Sequence, residues 1–244
     1  MGKLLSVLYG VASYAFFFVV FLYALAFVED LPVPKTIDSG TGGPLVSTLL
    51  INALLLGVFA VQHSVMARPA FKAWWTKFVP PPVERSTYVL FASLALALVC
   101  WQWRPLPQNV WTLTGPAATA MLAVSYAGWL VVLSSTFLIN HFDLFGLRQV
   151  FAYASGREIP PPHFVTPLFY RVVRHPLYLG FIMAICAAPV MSLGHLIFGV
   201  GITAYILIAI QFEEHDMVNH FGDTYRGYQK RVSMILPWIP SSKS

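Results

Sequence analysis

The sequence predicts an all-α integral membrane fold: a bundle of about six transmembrane helices, with cytoplasmic loops and a C-terminal cytoplasmic helix. Three observations carry this. Of 244 residues, 57% are hydrophobic and only 10% charged, an inventory that cannot clothe a soluble domain. Six uncharged stretches approach the roughly 20 residues that cross a hydrocarbon core about 30 Å thick. Positive charge, finally, is concentrated in alternate loops.

The stretches run from Leu4 to Val28, Leu45 to Met66, Tyr88 to Trp103 and Ala117 to Ile139, then Leu177 to Leu193 and Leu196 to Phe212. None contains Lys, Arg, Asp or Glu. Only Gly194 and His195 separate the last two, which reads as a short helical hairpin. The first is too long for the apolar region of a signal peptide and is expected to remain in the protein. Pro80, Pro81, Pro82 and Pro160, Pro161, Pro162 are expected to mark stiff, non-helical parts of the inner loops. Cys100 and Cys186 fall within predicted helices, as packing residues rather than a disulfide. The whole, 1–244, reads as one polytopic domain with a four-helix part over 1–139 and a second part over 140–240.

Orientation follows from Lys and Arg, which are retained on the cytoplasmic side of short loops. With the amino terminus inside, Lys3, Arg68, Lys72, Lys77, Arg85, Arg148, Arg157, Arg171, Arg174, Arg226, Lys230, Arg231 and Lys243 are cytoplasmic, thirteen of the fifteen. Lys35 and Arg104 fall opposite, with Glu29, Asp30 and Asp38. Both termini are thus expected in the cytoplasm, in a bacterial inner membrane. The formal charge of +5 calls for attraction to anionic lipid rather than a nucleic-acid partner. No obligate protein partner is implied.

Ionisable groups at helix mouths are costly, which makes them candidates for function. One cluster, Asn140, His141, Asp143 and Arg148, follows the fourth stretch. Another flanks the hairpin, with Arg174, His175, Tyr178 and Gly180 before it and Glu213, Glu214 and His215 after it. A helix starting at Pro176 offers free N–H groups to a carboxylate, while the glutamates suit a cation. A ligand carrying both kinds of charge fits, and S-adenosylmethionine is one. His63, beside Gln62 near the end of the second stretch, is a candidate for lining a substrate pocket. The seven histidines show no repeated i, i+3 or i, i+4 pairs, which argues against a metal site.

The segment RHPLYLG, followed after the hairpin by EEHDMVNHFGDTYRGYQKRVSMILPWIP, closely resembles the isoprenylcysteine carboxyl methyltransferase type of membrane methyltransferase. The likeness covers roughly Arg171 to Pro240. It implies that the 140–240 part binds S-adenosylmethionine on the cytoplasmic side, through His175, Tyr178, Gly180, Glu213, Glu214, Tyr225 and Tyr228. Upstream, VQHSVMARPAFKAWW and NHFDLFGLRQVF are similar to the bacterial methanethiol S-methyltransferase branch, whose members make dimethyl sulfide. The resemblance thus implies a small thiol as substrate; a prenylcysteine carboxylate, a lipid amine, or a non-enzymatic transporter or sensor are the alternatives. Thiol methylation needs the thiolate, so His141 is the candidate base with Asp143 orienting its ring, and Arg148 or Arg174 the candidate to steady the thiolate. Plainer readings stand beside these. His141 and Asp143 can cap a helix, the arginines can set topology, Glu213 and Glu214 can pair with Arg226 or Lys230, and Tyr225, Tyr228, Trp74, Trp75 and Trp238 can anchor the chain at the interface.

Overall fold

A computed structural model describes residues 2–161 and 163–237; Pro162, Trp238 and Lys243, invoked above, lie outside the described residues. Ten α-helices are described: α1 (Lys3–Val28), α2 (Leu45–Ala67), α3 (Pro69–Trp75), α4 (Pro81–Gln102), α5 (Gly115–Ile139), α6 (His141–Leu144), α7 (Leu147–Ser155), α8 (Pro176–Cys186), α9 (Leu193–Phe221) and α10 (Asp223–Arg231). Two short strands, β1 (Asn109–Thr112) and β2 (Val190–Ser192), pair with each other. Five helices, α1, α2, α4, α5 and α9, are long and apolar enough to cross a membrane. Their outward residues are apolar too, with Leu4 72%, Val46 71% and Leu50 67% exposed, as a lipid-facing surface requires. The protein is a multi-pass membrane protein.

Three boundaries differ from the expected ones. Pro81 and Pro82 do not lie in a non-helical stretch; they open α4, because proline's fixed φ and missing N–H suit the first helical turn. Glu84 lies in the same turn, where its charge complements the helix dipole. The fifth stretch does not run on to Leu193: α8 stops at Cys186, shortly before Pro189, which cannot continue a helix. Gly194 and His195 are therefore not the turn. They belong to the first turn of α9, which follows β2 directly.

Eleven helical residues rise only about 16 Å, short of the roughly 30 Å core. The six residues 187–192 add up to about 20 Å when extended. Helix and extended segment together are therefore long enough to make the fifth crossing. Backbone at membrane depth must be hydrogen-bonded, and here Leu113 N–H donates to Pro189 O at 2.8 Å and the Trp111 indole to Ala188 O at 3.0 Å. At 29 residues, α9 rises about 43 Å, so its end from Glu213 onward outlasts the core.

The chain divides into two compact units: Met1–Gln108 with Asn140–Pro161 and Ser192–His195, and Asn109–Ile139 with Pro162–Met191 and Leu196–Ser244. Helix α5 falls in the second unit, and residues 140–161 fall in the first. Within the first unit, α1 packs on α4 and α7, with Gly10 so close that an added Cβ would stand 2.7 Å from the Val150 side chain. Within the second, α5 lies against α8. A Cβ on Gly128 would sit 2.6 Å from Gly180 O, and one on Gly180 would sit 2.8 Å from Gly128 O. Ser125 Oγ adds a bond to Ala184 O at 2.8 Å. Lipid supplies no hydrophobic drive between helices, so close backbone approach through small residues takes its place.

Replacing Gly180 with Val should therefore destabilise the protein by about 2 kcal/mol or more through overpacking against backbone, read as a lower unfolding midpoint in detergent. Gly57→Ala, which meets nothing within 4 Å, should match or slightly exceed the parent.

Candidate active site

In the second unit, the extended stretch 173–175 is fixed before α8 begins. Val173 bridges Ser233 in parallel, Arg174 N donates to Ser233 O at 2.8 Å, and His175 N donates to Met234 O at 3.1 Å. Backbone pairing with the tail thus aims both side chains. Arg174 and His175 are buried, and both converge on one carboxylate. Arg174 Nε donates to Glu214 Oε1 at 2.6 Å, His175 Nε2 to the same oxygen at 2.9 Å, and Gln229 Nε2 to Oε2 at 2.7 Å. Arg174 Nη1 donates as well to the carbonyls of Gln229 and Val232. A buried ion pair is tolerable only when its remaining polar atoms are satisfied in this way.

The adjacent glutamates therefore differ. Successive helical residues point about 100° apart, and while the Glu214 side chain is 12% exposed, that of Glu213 is 45% exposed, its Oε2 3.8 Å from His175 Nδ1. Glu214 is committed to the protein; Glu213 presents an open carboxylate. Tyr178, on the first turn of α8, lies with its ring 5.7 Å from His175. Gly180 sits at the α5–α8 crossing, where its missing side chain serves packing.

An aromatic wall completes this site. Tyr225 and Tyr228 are buried on α10, and Phe164 meets them edge-on at 5.8 and 5.3 Å. Tyr228 Oη donates to Tyr170 O. Burial, with the Glu214 charge adding to it, pushes the Tyr228 hydroxyl up to about 12. Tyr170 is raised by burial and by the Glu213 charge, and Tyr225 by burial and by the charges of Glu214 and Glu213. All three phenols remain neutral throughout the physiological range.

In the first unit, Asn140 takes a left-handed φ of 155° and caps α6, its Oδ1 accepting from Asp143 N at 3.2 Å. His141 Nε2 meets the Tyr14 hydroxyl at 2.7 Å, and its ring packs 4.8 Å from Phe145. Burial lowers the His141 pKa, favouring neutral imidazole. The Asp143 carboxylate is engaged by Arg148 at 3.3 Å and Gln149 at 2.8 Å. An apolar groove of about 440 Å³ is lined by Asn140, Phe142, Leu147, Arg148 and Phe151. His63 Nε2 meets the Tyr88 hydroxyl at 2.9 Å, with Phe59 stacked at 5.3 Å, and the Arg85 guanidinium lies 4.9 Å over the Tyr88 ring.

The family of sequences described as NnrU protein matches residues 49–236 of this chain. The chain belongs to the NnrU family. Methanethiol S-methyltransferase 1 of Bradyrhizobium diazoefficiens is 56% identical over 97% of this chain and 83% of its own length. Methanethiol S-methyltransferase of Mycobacterium tuberculosis is 53% identical over 98% of each. Nurim of Bos taurus is more distant, 29% identical over 67% of this chain and 65% of its own length. No solved structure matches.

In this NnrU chain, the expected residues Arg174, His175, Tyr178, Glu213, Glu214, Tyr225 and Tyr228 all belong to the second unit, while His63, Asn140, His141, Asp143 and Arg148 belong to the first. Sequence reasoning missed Gln229, Tyr170 and Phe164 around the first group, and Tyr14, Tyr88 and Gln149 around the second. Tyr14 left a faint signal, as one of several hydroxyls, with Ser6, Tyr9, Ser13 and Tyr23, in an uncharged run. Gln229 left one too, one position after Tyr228 on α10.

Glu214→Gln should cost about 3 to 5 kcal/mol, because it strands the buried Arg174 charge, whereas Glu213→Gln should leave the unfolding midpoint near that of the parent. The Tyr228 contribution follows its raised pKa: it is fully present below the unfolded value near 10 and is lost as pH rises through about 12. Stability measured between pH 9 and 12 should fall less steeply in Tyr228→Phe.

Proposed function

We propose that this chain is a membrane methyltransferase that converts methanethiol to dimethyl sulfide with S-adenosylmethionine as donor. The observation that carries the reading is its 53 to 56% identity, over 97 to 98% of its length, to proteins named methanethiol S-methyltransferase. The donor set in the second unit fits such a donor. An open carboxylate on Glu213 suits the ammonium group. The first N–H groups of α8, at Leu177 and Tyr178, suit the carboxylate. The rings of Tyr178, Tyr225 and Phe164 suit the adenine face.

When bound, S-adenosylmethionine supplies a methyl on a sulfonium; the thiolate sulfur forms the new S–C bond as the sulfonium S–C bond breaks, leaving dimethyl sulfide and S-adenosylhomocysteine. The residues do the rest. Arg174 and His175 hold Glu214, and with it the geometry of the mouth of α8. Within the first unit, His141, kept neutral by burial, takes the thiol proton, and Arg148 steadies the thiolate. Asn140 and His63 line the acceptor side. The charge asymmetry of the loops, with six crossings when α8 and its extended continuation make the fifth, supports both termini in the cytoplasm of a bacterial inner membrane.

The test is headspace gas analysis of detergent-purified protein supplied with S-adenosylmethionine and methanethiol. Dimethyl sulfide should form, and Glu213→Gln should raise the donor KM about tenfold, the loss of one charge-assisted hydrogen bond. His141→Ala should lower turnover about a hundredfold, and full turnover in that variant would remove the assigned base. No product from protein that binds the donor would redirect the search to prenylcysteine or lipid acceptors.

A further inference from the structure

In the first unit, α1 and α4 end and α2 begins around one cavity of about 490 Å³, lined by Lys35, Ser39, Thr41, Gly43, Trp103 and Arg104 among others. Two cations share this space. Lys35 Nζ donates to Trp101 O at 2.5 Å, and among the described residues no ion pair joins Lys35 or Arg104 to a carboxylate. Asp38 of the same segment is turned to Ser192 Oγ. Burial and the nearby Arg104 charge both lower the Lys35 pKa, as expected for a cation facing another without a counter-charge.

The cations are also held in place by the helices beneath them. Tyr23 Oη, on α1, donates to Lys35 O at 3.0 Å and accepts from Lys35 N at 3.2 Å. Asn52, fully buried on α2, donates Nδ2 to Arg104 O at 2.8 Å and accepts Arg104 N on Oδ1 at 2.9 Å. A buried amide in a membrane helix is expensive, and here both its ends are used to fix the backbone of one arginine. Pairing two like charges on braced backbone raises the energy of the empty cavity and lowers it once an anion arrives.

The level of the cavity narrows the chemistry. It opens where spanning helices terminate, beside Trp101 at 69% exposed and the first turn of α2 with Leu45 at 53% and Val46 at 71%. That is where an apolar belt gives way to headgroups, and exposed tryptophan favours this boundary. We propose that the cavity binds a phosphate-bearing anion, with Lys35 and Arg104 sharing its charge and Thr41 supplying a hydroxyl. The phosphate belongs to a lipid headgroup or to free phosphate, and the site is independent of methyl transfer.

The experiment uses the full chain in neutral detergent, with phosphatidylglycerol, phosphatidylcholine and inorganic phosphate at constant ionic strength as separate probes. Retained lipid is counted by native mass spectrometry and binding is read from unfolding midpoints. Phosphatidylglycerol should be retained and should raise the midpoint, with phosphatidylcholine doing neither. Lys35→Gln with Arg104→Gln should weaken that binding roughly thirtyfold, while Lys35→Arg with Arg104→Lys should keep most of it and both variants should make dimethyl sulfide as the parent does. A midpoint raised by inorganic phosphate and not by phosphatidylglycerol would assign the site to free phosphate. Binding of either probe undiminished by the Gln variant, or binding of neither by the parent, would overturn the proposal.

Discussion

The Glu214 carboxylate is the constraint on which the second unit depends. It lies near the end of the longest helix, yet its two oxygens are bonded by residues from the start of α8 and from α10, while Arg174, its main partner, also ties down the last turn of α10. Three chain segments far apart in sequence are thereby brought to one anion. Taking that charge out of water is costly, and a well-bonded buried pair adds little net stability over an apolar substitute. What it supplies is geometry: wrong arrangements leave Arg174 or Glu214 buried without a partner. The same commitment leaves Glu213, with its side chain 45% exposed, as the open carboxylate of the pair.

The helices are held by a different balance. In lipid the apolar surfaces of two helices gain little by meeting, so contact is made where backbones approach or polar groups interlock. Gly128 against Gly180, with Ser125 on Ala184 O, is the first kind strengthened by the second. The clamps of Tyr23 on Lys35 and Asn52 on Arg104 are of the second kind alone. Each places a polar atom in a spanning helix only where its partner is a loop backbone group that would otherwise go unpaired.

The spans were legible because lack of charge over some 20 residues is a strong signal that leaves few alternatives. The chemistry-bearing residues of the second unit were legible in kind, since Arg174, His175 and two adjacent glutamates have no cheap place in an apolar chain. Their division of labour was not. Nothing in the pair Glu213–Glu214 says which faces inward, because that depends on the rotation of α9 against a tail twenty residues further on. The end of α8 was misjudged for a related reason. Hydropathy runs unbroken from Leu177 to Leu193, and the break at Pro189 is a matter of backbone geometry to which hydropathy is blind. The engagement of Asp143 by Arg148 and Gln149, five and six positions on, is likewise a matter of the turn into α7 that residue types do not announce.

The neutrality of the tyrosines bears on what such a site can do. A site that must hold a cationic donor gains from one fixed negative charge, but extra anions nearby would hold the cation more tightly without favouring its reaction, in which that charge disappears. Burial and the two glutamates resist ionisation of Tyr170, Tyr225 and Tyr228, so their surfaces stay apolar and weakly polar rather than charged. Below the ordinary tyrosine range near pH 10, the aromatic side of this cluster therefore keeps one protonation state.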